Sequence, residues 1–196
     1  MSFDLQQSLR ILKPQKRTSS LQRRPDTDLH WASEEPRIGG ALFLDTSVYI
    51  DVLQGRSPKE VDELLWVRVC HHSAVCLAEL THVFGRLDPA HPSSKKVWRA
   101  LHQTIEDMPA HRLHAPETAT WGQAGILAGA VARLGSLPKG QGHERKFLND
   151  ALIYLQAQRL GASVLTSNIK DYDYLNQLAP QAGVIFYRRF SQSTAS

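Results

Sequence analysis

Three carboxylates sit at the ends or edges of apolar runs. Asp45 follows ALFL, Glu79 follows SAVCLA, and Asp150 opens DALIYLQAQRL. A polar cluster, Thr166, Asn168 and Asp171, closes the run SVL in the same manner. A carboxylate among apolar neighbours is costly to keep charged unless it is paired or holds a metal, so several brought together point to a divalent cation site. Each also has an ordinary explanation when taken singly: Asp45 as the cap of a following helix, Glu79 and Asp150 as acids favoured by the positive end of their own helices. Their shared placement, where a strand meets a helix or a helix faces a sheet edge, argues for the joint reading. Asp51, Asp62, Glu63, Glu106 and Asp107 lack that placement and are expected on the solvated faces of helices. Asp173 is left open between the two.

The elements that would position these acids alternate. ALFL is a short apolar run, and Thr46-Ser47 supplies cap chemistry for a helix through VYIDVL. An amphipathic helix over 59–69 precedes a second strand near Ala74 to Leu77, after which Glu79 begins a helix. Further helices are expected over 94–107, around Trp121 to Val131, and over 145–160, where Gly161 ends the last; SVLT and VIFY are the remaining strands. Gly135 to Gly142 reads as a loop, and Gly122, Gly125 and Gly129 as a close-packing face. A strand that rises through the core delivers its last side chain to the carboxyl edge, where open α/β sheets bind ligands. Strands alternating with helices predict a three-layer α/β/α sandwich around a mostly parallel sheet.

At 196 residues the chain suits one domain with an appendage. Residues 1–39, broken by Pro14, Pro25 and Pro36 and rich in Arg and Lys, are read as a basic arm or linker, 40–190 as the domain, and 191–196 as a frayed tail. Phe3, Leu5, Leu9 and Leu12 allow a short helix in the arm, marginal without something to pack on. Arg23, Arg24 and Arg37 either reach into the acidic pocket or add positive charge for RNA. No apolar stretch approaches the roughly 20 residues that span a bilayer, and no secretory leader is read, so the cytoplasm is the expected compartment. The net charge of +4 fits a polyanionic partner without requiring one. Cys70 and Cys76 are expected reduced and buried. There is no HExxH or Cys/His zinc spacing, no GxxxxGK[ST] and no GxGxxG, which leaves structural zinc, ATP and dinucleotides without support.

The string LDTSVYIDVL resembles the opening of a PIN domain, AEL with Glu79 its second acidic motif, and NDALIYLQAQRLGASVLTSNIKDYDYL the closing third of its toxin-type, VapC-like members. The resemblance covers 41–187. It implies a parallel α/β/α sandwich and an endoribonuclease that uses Mg²⁺ or Mn²⁺, commonly the toxin of a toxin–antitoxin pair. Asp45, Glu79 and Asp150 match the family's first three acids and are the expected metal ligands, with Asp45 and Asp150 direct and Glu79 orienting or deprotonating a water. Asn168 stands at the fourth acidic position, a departure for which Asp171 is the candidate substitute. The expected partners are an RNA substrate, single-stranded or looped, an antitoxin protein, and a second copy of the chain as a homodimer. The Asn168 departure leaves a catalytically impaired RNA-binding or scaffold module as the alternative. A phosphoacceptor domain using Asp45 is the third reading.

Overall fold

Leu42–Leu44 (β1) is buried on both faces, the mark of a central strand in a helix-covered parallel sheet. The computed structural model describes residues 3–135 and 143–190. With β2 (Cys70–Ser73), β3 (Leu113–His114), β4 (Ser163–Thr166) and β5 (Val184–Phe186), β1 forms a five-stranded sheet of order β3-β2-β1-β4-β5 in which every pairing is parallel. Helices α1 (Leu5–Leu12), α2 (Thr46–Leu53), α3 (Lys59–Val67), α4 (Ala74–Arg86), α5 (Ser94–Glu106), α6 (Thr118–Leu134), α7 (His143–Leu160) and α8 (Ile169–Leu178) flank it. The α/β architecture expected of the sequence is therefore present. No described helix is long and apolar enough to cross a membrane.

The register of β1 on β4 pairs Leu44 with Leu165, so Asp45 and Thr166 leave the sheet side by side at its carboxyl edge. Helix α7 lies against β1 and β4 and is buried nearly all round from Asp150 to Ala157, which suits its run of apolar residues. Gly161, at φ +63°, ends it in the left-handed conformation, and the Ala162 N–H reaches back to the Ala157 carbonyl at 3.0 Å.

Two placements differ from the sequence reading. The second strand is CHHS, not the apolar run after it: Ser73 caps α4 by accepting from the Val75 N–H at 3.0 Å, and Val75, Cys76 and Leu80 bury one helical face. The histidines hold the strand through contacts that composition does not reveal. Tyr49 Oη lies 2.7 Å from His72 Nδ1, and burial pushes His72 down to about 4. The glycine face of α6 is not a uniform packing surface either. A methyl at Gly122 would run into the Phe3 ring, while at Gly125 and Gly129 it would meet open space.

The segment before Gly39 is docked on the domain. Helix α1 packs on α6, and Leu12, Leu21, Leu29 and Ala32 join the core. Ala32 N–H donates to Phe186 O and Phe186 N–H to His30 O, both at 2.8 Å, so the segment covers the open edge of β5. The expected frayed tail and residues 136–142 of the expected loop lie outside the described residues. Neither cysteine is in a disulfide; Cys76 is buried and Cys70 half-buried.

Candidate functional site

Asp45 is the residue at which β1 turns into α2. Its extended backbone makes it the N-cap, so the capping role open to it in the sequence is real: Oδ2 accepts from the Ser47 hydroxyl at 2.6 Å and, more loosely, from the Ser47 N–H at 3.4 Å. The Thr166 hydroxyl, arriving on the neighbouring strand, donates to the same oxygen at 2.8 Å, and the buried Tyr172 hydroxyl donates to Oδ1 at 3.0 Å. Three neutral hydroxyls orient this carboxylate, and none neutralises it.

Glu79 lies in the second turn of α4 and Asp150 in the third turn of α7. Neither is at a helix start, and the dipole falls off within the first turn, so the capping explanation does not cover them. Glu79 accepts from the Thr46 hydroxyl and, through Oε1, from the Asn149 amide at 2.6 Å. Asp150 has one amide partner among the described residues, Asn168 Nδ2 at 3.2 Å. Burial pushes the Asp150 carboxyl well above its usual range, reinforced by Asp45, Asp171 and Glu79 and opposed by Lys146.

These residues line one cleft of about 750 Å³ at the carboxyl edge of the sheet, which holds Asp45, Glu79, Asp150 and Asn168 together with Lys146, Arg188 and Arg189. Asp171 is joined to the cluster from behind: its Oδ2 accepts from Asn168 Nδ2 at 2.9 Å and Lys146 Nζ at 2.7 Å. All five sequence candidates thus come together, though Asp171 does not line the cleft. Asp51, expected on a solvated face, is fully buried and held by Ser167, Tyr187, Arg56 and Arg189. The last helical turn of α2 packs toward the C-terminal segment, so its charge is inward. Asp173 is likewise buried, on Arg24 at 2.6 Å and Gln177 at 2.9 Å.

The arm's arginines do not reach the cleft. Arg24 binds Asp173 and Asn176, Arg23 binds Asp26, and Arg37 binds Glu63. The cationic wall comes instead from Arg188 and Arg189, which follow β5 after Tyr187, and from Lys146, one turn before Asp150 on α7. Sequence reasoning missed these. A signal existed for each, since residues four apart share a helical face and residues after a strand emerge at the carboxyl edge. Asn149 carried none.

The donor set fits a hard cation. Among the described residues oxygen ligands prevail, no histidine lines the cleft, and Asp150 is a buried carboxylate with a single long hydrogen bond and three like charges around it, which a divalent ion would compensate. Among the described residues no three acidic, histidine or cysteine side chains stand close enough to grip an ion alone.

The sequence profile of the PIN domain matches residues 42–175. Among solved structures, VapBC2 from Rickettsia felis, bound to a DNA fragment from its promoter, matches with a TM-score of 0.51 and 15% identity over 75% of this chain and 98% of that one. FitAcB from Neisseria gonorrhoeae matches with a TM-score of 0.52 and 18% identity over 74% and 96%. At such identities the likeness shows the fold alone. No curated protein matches the chain by sequence.

Proposed function

Because this chain belongs to the PIN domain family, we propose that it is a divalent-metal-dependent endoribonuclease acting on single-stranded RNA and paired with an antitoxin. The observation that carries the proposal is Asp150, a buried carboxylate facing a cleft among like charges and short of donors. A fold has no stability reason to keep such a group there.

When bound, Mg²⁺ or Mn²⁺ supplies screening of the phosphate charge and an activated water. Asp45 and Asp150 are the side chains that hold it. The hydroxyls of Ser47, Thr166 and Tyr172 fix the Asp45 carboxylate in orientation, so its geometry is set before any ligand arrives. Glu79, steadied by Thr46 and Asn149, takes the proton of the attacking water. Arg188 and Arg189 bind flanking phosphates. Arg188 stacks over Trp31 at 5.2 Å and pairs with Asp26, and Arg189 is anchored on Asp51 at 2.9 Å, so both are pre-positioned at the cleft.

The antitoxin rests on the two fold neighbours, VapBC2 and FitAcB, which are toxin–antitoxin complexes. The half-exposed Trp98 on α5, in a cleft with Phe84 and Leu87, offers such a partner an apolar surface. A gene for a small DNA-binding protein beside this one would support the pairing.

The test is incubation of the purified chain with a short single-stranded RNA, with Mn²⁺ or with EDTA. Cleavage with metal, none with EDTA and none by Asp45→Asn is the expected result. RNA bound without cleavage in Mn²⁺ would replace the proposal with the binding or scaffold module that Asn168 suggests.

A further inference from the structure

The region between Asp150 and Asp171 is filled by nitrogen donors. Asn168 turns its amide N–H groups to Asp150 Oδ2 at 3.2 Å and Asp171 Oδ2 at 2.9 Å, and so presents donors where an acid would present oxygens. Lys146 Nζ lies 2.7 Å from the same Asp171 oxygen and lines the cleft beside Asp150. Its position one turn before Asp150 puts both side chains on the same face of α7. The side chain is 56% exposed, so the ammonium stands at the cleft mouth, reachable by a phosphate from solvent. Burial would favour loss of its proton, but Asp171, Asp150 and Asp45 outweigh that and keep it charged. Asp171 is engaged in holding this lysine.

We propose that the Lys146 ammonium serves as the second cation of the centre, so that the cleft takes a single divalent ion on Asp45 and Asp150 and Asp171 is the lysine's anchor, not a metal ligand. This rests on the metal-dependent reading above. In two-metal hydrolysis one ion favours the attacking oxygen and the other the leaving one. Here the water oxygen bonds to phosphorus, its proton passes to Glu79, the bond to the leaving ribose oxygen breaks, and Lys146 hydrogen-bonds to that oxygen until solvent protonates it. The ammonium is already held at the cleft by Asp171, whereas a second Mg²⁺ would have to shed water that it gives up reluctantly. The same charge repels a second ion.

The test counts Mn²⁺ bound by the full chain, from the electron paramagnetic resonance signal of free Mn²⁺ during titration. Wild type is expected to take up one equivalent, Lys146→Arg one, and Lys146→Met combined with Asn168→Asp two. Two equivalents in wild type with RNA cleavage intact would overturn this inference and leave the proposed function standing. One equivalent in the double variant, with wild-type circular dichroism, would also overturn it. No binding by wild type at all would overturn both.

Discussion

Asp51 and Asp150 are both closed off from solvent, at 0% and 6% exposure, and nothing in their chemistry as residues distinguishes them. Their surroundings do. Asp51 accepts from two hydroxyls, Ser167 at 2.8 Å and Tyr187 at 3.0 Å, and pairs with two guanidiniums, Arg56 at 3.0 Å and Arg189 at 2.9 Å. Burial alone would raise its carboxyl, but Ser167, Arg189 and Tyr187 more than reverse that and hold it below the usual range. Among the described residues Asp150 has one long amide contact, and burial together with Asp45, Asp171 and Glu79 drives it the other way. One aspartate ties the C-terminal segment to α2. The other is left for a ligand to satisfy. A buried carboxylate is informative about function only after its donors have been counted.

The largest effect that separates the two is on cleavage. Asp150→Asn or Asp45→Asn is expected to abolish Mn²⁺-dependent cleavage in a gel assay with the fold intact, whereas Asp51→Asn is expected to leave cleavage measurable. Glu79→Gln comes next and lowers kcat by about 10²-fold, the order expected when a proton acceptor is lost. A Glu79→Gln enzyme as fast as wild type would move Glu79 out of the chemistry.

In stability the ranking inverts. Asp51→Ala strands the buried Tyr187 hydroxyl, takes a partner from the half-buried Ser167 and costs about 1–3 kcal/mol, read from urea unfolding; Arg56 and Arg189 reach solvent and add little. Metal-free Asp150→Asn is as stable as wild type or more so at neutral pH. The pH dependences oppose each other. Asp51, with a lowered carboxyl, contributes stability that is present above 3.8 and lost as pH falls through its folded value. Asp150, with a raised one, destabilises the metal-free protein as pH climbs from 3.8 through its folded value. In EDTA, the stability gap between Asp150→Asn and wild type should therefore widen from acid to neutral pH. A gap that does not change would contradict the like-charge crowding of Asp150.

The smallest effect belongs to the cationic wall. Arg188→Ala weakens binding of a single-stranded RNA and shallows its log–log salt dependence by about 0.7, the contribution of one phosphate contact. An unchanged slope would leave Arg188 as a clasp for Asp26 and Trp31 alone.

The sequence showed the acids of the cleft because strand ends and helix faces obey short periods: ALFL delivers Asp45, and the apolar spacing of α7 turns Asp150 inward. It misled where burial depended on distant partners. Asp51 looks solvated because Arg189, far along the chain, is what allows its burial. CHHS does not read as a strand because its support comes from β1 and from Tyr49. Leu113–His114 is too short for any periodicity. The basic arm appeared unlikely to contribute to a core, yet its leucines are spaced to meet α6 and the edge of β5, surfaces that have no trace in the arm itself.

The central claim, that the crowded carboxylates form a cation site, is tested most directly by thermal unfolding of wild type and Asp150→Asn with increasing Mn²⁺. At about 100 times Kd a bound ion contributes about 2.7 kcal/mol, which for a domain of this size is a rise of several degrees in Tm. The account predicts that wild type shows this rise, while Asp150→Asn melts at or above wild type without metal and does not respond to it. Equal Mn²⁺ responses in the two proteins, or none in wild type, would contradict it.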